Sequence, residues 1–140
     1  MIHAQSTISL GIEIVVLGLL LTAVFLKTQK KYKLHGTVML SAVMLHITSI
    51  LVVMVPSFGA FFSAPGSVDY ANIFTILTLV HVASGLLAAL LGIWLVSSWH
   101  FQTNLQPCFG RKRFMDVTIV LWSLAIALGI VLYLAIIQAI

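Results

Sequence analysis

Four long apolar stretches constrain what this chain can fold into. They cover residues 8–26, 34–55, 73–99 and 115–137. A hydrocarbon layer about 30 Å thick is crossed by about 20 helical residues, so each stretch is long enough to span it once. Charged residues make up only 7% of the 140-residue chain, far below the share in soluble domains. We therefore expect an all-α integral membrane protein, folded as a single four-helix bundle over residues 1–140.

The basic residues predict how the bundle is oriented. All seven fall in two connecting segments: Lys27, Lys30, Lys31 and Lys33 before the second stretch, and Arg111, Lys112 and Arg113 before the fourth. Basic loops stay on the cytoplasmic side of a membrane, so both chain termini are expected outside. The formal net charge of +4 then reflects this orientation and contact with anionic lipids of the bilayer. It does not indicate binding of nucleic acid, for which the sequence carries no motif.

The connection between the second and third stretches has the composition of a loop. Its sequence, PSFGAFFSAPGSVDYAN (residues 56–72), is rich in Gly, Pro, Ser and aromatic residues. The aromatic side chains are expected either to anchor this loop at the membrane interface or to form a docking surface for a partner. The sequence has no Gly-rich phosphate loop, Ser/His/Asp set or paired carboxylates. An electron carrier or an accessory or assembly protein is therefore favoured over a stand-alone enzyme.

Two histidines lie well inside the apolar stretches, where an ionisable side chain usually has a function. His46 stands ten residues before Pro56, and His81 stands eight residues after Ile73. With a rise of about 1.5 Å per residue, these positions lie about 15 and 12 Å from the same membrane surface. We therefore expect the two imidazoles to be nearly level and to face each other across adjacent antiparallel helices.

Small residues follow His81 on one face of its helix. They are Ser84, Gly85, Ala88 and Gly92, spaced by three and four positions. Such a face either lets two helix backbones approach closely or leaves room for a flat macrocycle beside an axial imidazole. The second alternative predicts one haem b between the two helices, with His46 and His81 as axial ligands of the iron. The cofactor-binding residues would then be His46, His81, Gly85, Ala88 and Gly92.

The remaining histidines suggest a second site near the cytoplasmic surface. His35 lies eleven residues before His46 and on the same helical face. It either reaches water at the membrane edge or pairs with His100 around a second haem. The depths of His35 and His100 differ by about 12 Å on this topology, so one haem is favoured over two. With Cys108, the lone cysteine, the same two histidines would alternatively form a copper or zinc site.

Glu13 is the only carboxylate in the first apolar stretch. Its side chain is expected to extend to the outer surface, where a carboxylate stays hydrated. Alternatively, Glu13 approaches the haem propionates, pairs with a histidine, or relays a proton toward His46 or His81.

Three segments carry a resemblance to a known family. They are KKYKLHGTVMLSAVMLH, HVASGLLAALLGIWLV and GRKRFMDVTIVLWSLAIALGIVLYL, within residues 30–135. In the order of their histidines and in the basic-W-G-Y ending, they resemble a family of small four-helix prokaryotic membrane proteins of unknown function that includes the terminal-oxidase maturation factor of Gram-positive bacteria. The matching positions are His35, His46, His81, Gly85, Gly92, Trp122, Gly129 and Tyr133. The resemblance implies a multi-pass protein of a prokaryotic plasma membrane, with a role in haem-copper oxidase maturation or another haem-dependent membrane process.

Three functional hypotheses follow. The chain is also similar in size and helix count to b-type cytochromes that exchange electrons with quinones. The leading hypothesis is therefore a haem b protein of electron transfer, or a haem-bearing subunit of a respiratory or oxidase-associated complex, with quinone as a further partner. The second is an assembly factor that handles haem or copper transiently for a haem-copper terminal oxidase. The third is a non-catalytic accessory subunit that packs against a larger membrane complex.

Overall fold

The computed structural model describes residues 2–63, 69–99 and 112–138, and these residues are almost entirely helical. The elements are α1 (Ile2–Thr28), α2 (Tyr32–Ser49), a π-helical segment (Ile50–Met54), α3 (Val55–Ser63), α4 (Ile73–Trp99) and α5 (Lys112–Gln138). Within these ranges, four helical runs are long and apolar enough to cross a membrane. The predicted all-α fold with four spanning helices is therefore confirmed, whereas the placement of both termini outside stays a prediction.

The long helices pack in a ring in which neighbours run antiparallel. α1 packs against α2, α2 against α4, α4 against α5, and α5 back against α1. Along α1 and α2, Ala23 contacts His35 whereas Glu13 contacts His46, as antiparallel helices require. We call the end of the bundle where α1 and α4 begin the open end, and the end with the α1–α2 turn the closed end.

The α1–α2 turn is fixed by the backbone at Lys30. This residue has a φ of 58°, in the left-handed region. The amide of Lys30 donates to the Lys27 carbonyl at 3.1 Å, and the amide of Lys31 donates to the Leu26 carbonyl at 3.0 Å. These two bonds form the Schellman pattern that ends a helix sharply. The turn therefore brings α2 directly back along α1.

The second apolar stretch does not end at Pro56. The helix continues through α3 to Ser63, so the expectation of a loop is wrong for residues 56–63. A proline in a regular α-helix lacks the N–H and clashes with the carbonyl four residues earlier. Here the π-helical segment ends at Met54, two residues before Pro56, and each of its hydrogen-bonded rings contains one residue more than in an α-helix. The chain thereby stays helical from Tyr32 to Ser63.

The apolar core lies midway along the bundle. Its buried side chains come from all four long helices and are Val16, Leu20, Ala42, Val43, Ala88, Trp122 and Ile126. Other large apolar side chains point outward, such as Leu21 and Val120, which are 64% and 66% exposed. A hydrocarbon layer accepts such a surface, whereas water would not. The outer surface of the bundle is therefore consistent with contact with the lipid bilayer of a multi-pass membrane protein.

Candidate functional site

His46 is buried between three helices, with only 1% of its surface exposed. Its Nε2 atom donates to the Gly85 carbonyl of α4 at 3.3 Å. Its ring packs against Trp122 of α5, with the ring centroids 4.9 Å apart. Its Nδ1 atom lies 3.4 Å from Oε1 of Glu13 on α1. Because a carbonyl can only accept, Nε2 carries the ring hydrogen, and Nδ1 is left facing the carboxyl group.

Glu13 does not extend to the outer surface, and that expectation is wrong. The residue is 6% exposed and pairs with His46 across the α1–α2 interface. A carboxyl group inside a membrane helix needs a polar partner, and the imidazole of His46 supplies one at the same level. Pairing with a histidine was one of the alternatives predicted for Glu13.

This pair belongs to a set of buried polar atoms that we call the buried polar layer. It consists of four polar atoms that are buried without a hydrogen-bond partner among the described residues: Glu13 Oε1, His46 Nδ1, Ser49 Oγ and Trp122 Nε1. The contact of 3.4 Å between Glu13 and His46 is within ion-pair distance but longer than a good hydrogen bond. Each unsatisfied buried polar group costs about 1–3 kcal/mol. We therefore expect this layer to be satisfied by a group other than these four side chains.

His81 is held by a different helix. It is half-buried on α4, and its Nδ1 atom donates to the Ala125 carbonyl of α5 at 2.8 Å. The position that a Cβ atom would take on Gly129 lies 3.1 Å from Cε1 of His81. The hydrogen bond fixes the imidazole against α5. Position 129 is a glycine because a side chain there would crowd the ring.

His46 and His81 are not level. His46 lies opposite Gly85, which is four residues, or about 6 Å, further from the open end than His81. The prediction took Pro56 as the end of the second helix, and the continuation of this helix to Ser63 removes that reference point. The two imidazoles therefore bind different neighbours at different depths.

The face of small residues on α4 is filled by the neighbouring helices. Gly92 lies so close to α2 that a Cβ atom there would be 3.0 Å from Val43 Cγ2, and Ala88 belongs to the apolar core. A Cβ atom on Gly85 would be 4.0 Å from His46 Nε2. These close contacts at Gly85 and Gly92 leave no room for a macrocycle between α2 and α4. A haem with both His46 and His81 as ligands does not fit this arrangement, and close helix packing accounts for the small residues.

A cavity of about 520 Å³ lies at the open end of the bundle. Its polar groups include Glu13, His81 and Tyr133, and its apolar walls include Phe58 and Phe61 of α3. His46 does not line the cavity and lies behind Glu13, which lines it. The cavity therefore brings two of the predicted site residues, Glu13 and His81, to one accessible space.

The predicted inner site is only partly described. His35 is buried rather than exposed at a membrane edge. Its Nδ1 atom donates to the Ala23 carbonyl of α1 at 2.6 Å. The expectation that it reaches water is therefore wrong. His100 and Cys108 lie outside the described residues. Within the described ranges, no group of three His, Cys, Asp or Glu side chains could hold a metal ion.

The partners of the histidines were not predicted from the sequence. His35, His46 and His81 each donate to a backbone carbonyl of a neighbouring helix, belonging to Ala23, Gly85 and Ala125 respectively. Every residue carries a carbonyl, so no side chain marks these acceptors. Their only sequence signal is small size, which lets an imidazole approach the backbone.

Comparison of the chain with protein-family models, curated proteins and solved structures found no match. The resemblance to the four-helix family therefore stays a prediction that rests on the order of the histidines and the basic-W-G-Y ending.

Proposed function

We propose that this chain binds haem b through His81 at the open cavity, and that it holds the haem transiently during assembly of a haem-containing membrane enzyme such as a terminal oxidase. The observation that carries the proposal is the hydrogen bond of 2.8 Å from His81 Nδ1 to the Ala125 carbonyl. Imidazoles that bind metal ions almost always donate their second ring N–H to such an acceptor, which fixes the tautomer. Nε2 of His81 is thereby left with its lone pair available to a ligand of the cavity.

The cavity suits a flat, largely apolar ring with polar edges. Its volume of about 520 Å³ falls within the range of about 300–1,000 Å³ that is usual for cofactor sites. Aromatic walls at Phe58 and Phe61 would contact the ring, and the hydroxyl of Tyr133 would contact a polar edge. Haem would supply an iron centre for ligand and electron exchange. The residues of this chain would bind and orient it.

One available imidazole favours transient binding over a permanent electron-carrying haem. Both ring nitrogens of His46 already face protein groups, the Gly85 carbonyl and the Glu13 carboxyl. A single protein ligand beside a cavity at one end of the bundle allows haem to enter and leave. The resemblance to a family with an oxidase maturation factor supports the same choice. Haem handling is therefore preferred over electron transfer.

Haem titration of the purified protein in lipid nanodiscs tests the proposal. The wild-type protein should bind one haem per chain, seen as a Soret band, and His81→Ala should lower the affinity by more than about 100-fold because it removes the iron ligand. His35→Ala is the matched control, because His35 is also a buried imidazole bonded to a carbonyl but lies toward the closed end. This control should bind haem as the wild type does.

Chemical rescue makes the test specific for ligation. In His81→Gly, added imidazole should restore the Soret band, because the free ring replaces the lost ligand, and it should have no such effect on His35→Gly. His46→Ala should still bind haem. An equal loss of binding in His46→Ala and His81→Ala, or unchanged binding in His81→Ala, would contradict the proposal.

A quinone head group is the second candidate ligand, favoured by one feature of the cavity. The hydroxyl of Tyr133 shares the cavity with the aromatic walls of α3 and would donate to a quinone carbonyl. Nε2 of His81 would accept a hydrogen bond from the hydroxyl of the reduced quinol. A soluble naphthoquinone should then compete with haem in the same titration. Binding of the quinone without any binding of haem would replace the first candidate by the second.

A further inference from the structure

The buried polar layer behind the cavity has its own chemistry, independent of haem. It joins three helices, with Glu13 on α1, His46 and Ser49 on α2, and Trp122 on α5. Ser49 lies one turn from His46 on the same helix face and is buried to the same degree. The indole N–H of Trp122 is only a donor, the hydroxyl of Ser49 is both donor and acceptor, and the other two atoms accept unless they carry a proton. The layer therefore combines donors and acceptors that lack partners among the described residues.

The pair of Glu13 and His46 requires one proton between its members. His46 Nε2 donates to the Gly85 carbonyl, so Nδ1 has a lone pair if the imidazole is neutral. A carboxylate oxygen 3.4 Å from that lone pair would repel it. In direct contact, repulsion is avoided by a neutral carboxylic acid beside a neutral imidazole, or by a carboxylate beside an imidazolium. Both forms place one proton between Glu13 and His46 Nδ1 and have no net charge, as burial of a titratable pair favours.

We propose that Glu13 and His46 form a proton-binding site, completed by internal water that bonds to Ser49 and Trp122, and that this site exchanges its proton with the open cavity through Glu13. A water molecule would accept from the Trp122 N–H and donate to the Ser49 hydroxyl, the two buried groups that the shared proton leaves without a partner. Glu13 is the member that also lines the cavity. It therefore connects the buried layer with the accessible space.

Few other charged groups face this site. From α4, His81 lines the same cavity, and from α5 the phenol of Tyr133 does so. On α1 and α2, Glu13 and His46 are the titratable residues at this level, and the lysines of the α1–α2 turn lie at the closed end. Glu13 is consequently the group of the pair through which the proton reaches the cavity.

Nitrogen-15 NMR of the histidine side chains in nanodiscs tests the proton site, with Glu13→Gln as the isosteric variant. In the wild type, the nitrogen-15 shift of His46 Nδ1 should be that of a ring nitrogen bonded to the shared proton. In Glu13→Gln this shift should change, because a neutral amide has no acidic proton to share with the ring. Glu13→Asp keeps the carboxyl group and should bring the shift back toward the wild-type value. His35 reports on general effects and should be unchanged in all variants.

The water is tested at the indole N–H of Trp122. A cross-relaxation signal between this hydrogen and water is expected in the wild type, and Ser49→Ala should weaken it. An identical nitrogen-15 shift of His46 Nδ1 in the wild type and in Glu13→Gln, or a Trp122 N–H without contact to water, would overturn the proposal. These readouts need no haem, so the result is distinguishable from the failure of haem binding at His81.

Discussion

Glycines serve different purposes at different positions of these helices. A Cβ atom on Gly92 would lie 3.0 Å from Val43, whereas Cβ atoms on Gly11 and Gly18 would have no neighbour within 4 Å. In the first case the missing side chain lets α2 and α4 approach closely. In the other two cases glycine only weakens the helix, because it has more backbone freedom to lose than alanine.

This contrast predicts opposite effects of one substitution. Gly92→Ala should destabilise the protein by about 1–3 kcal/mol, because α2 and α4 must move apart to admit the methyl group. Gly11→Ala should be neutral or stabilise the protein by about 0.5–1 kcal/mol. Denaturant or thermal unfolding in one detergent measures both. Similar destabilisation by the two variants would contradict the close contact at Gly92.

Gly129 supports the imidazole of His81 in the same way. A Cβ atom there would be 3.1 Å from Cε1 of that ring, so Gly129→Ala should displace His81 from the Ala125 carbonyl. Loss of one hydrogen bond, worth about 1 kcal/mol, corresponds to an affinity for haem lowered about fivefold. Gly18→Ala is the control and should bind haem like the wild type in the same titration.

At the scale of the elements, the α1–α2 turn contains a residue in a conformation that its side chain disfavours. Lys30 has a φ of 58° at the position after the end of α1 where glycine is the usual residue. Lys30→Gly should therefore stabilise the protein by up to about 1 kcal/mol. Lys31→Gly removes the same charge from the same turn, but φ there is −90°, so no gain in stability is expected. A larger gain from Lys31→Gly in thermal unfolding would refute this interpretation.

The ends of a helix could be predicted where a change from polar to apolar composition marks them. The third apolar stretch matches α4 at both ends, Ile73 and Trp99, because a polar segment precedes it and the apolar run is unbroken. For the second stretch, the predicted end at Pro56 is too early, because the helix continues to Ser63. Proline usually ends a helix, and no feature of the composition indicates the π-helical segment that lets this helix continue past Pro56. Similarly, the sequence identified His46 and His81 but not their depths, which depend on where that helix ends.

At the scale of the whole molecule, the bundle is closed by a tight turn at one end and contains a cavity at the other. The basic residues predict that the closed end is cytoplasmic. Tyr70 precedes α4 and is 69% exposed, and Lys33 is exposed near the start of α2. These two positions therefore report on opposite surfaces of the membrane.

Thiol labelling in intact cells tests this orientation. With Cys108 replaced by serine, Tyr70→Cys should react with a membrane-impermeant maleimide, because the basic residues predict that the open end faces outward. Lys33→Cys should react only after the cells are permeabilised. The reverse pattern would place the cavity and His81 on the cytoplasmic side.

The π-helical segment also affects how chains of this kind should be aligned. Phe58 lies twelve residues after His46, which in an uninterrupted α-helix would turn it away by about 120°. The segment Ile50–Met54 accommodates one extra residue, so Phe58 behaves as the eleventh and returns to within about 20° of the histidine. A sequence one residue shorter between the two positions would present the same face to the bundle. A single-residue gap between His46 and Phe58 is therefore compatible with an unchanged cavity, whereas the same gap elsewhere in α2 would rotate every residue that follows.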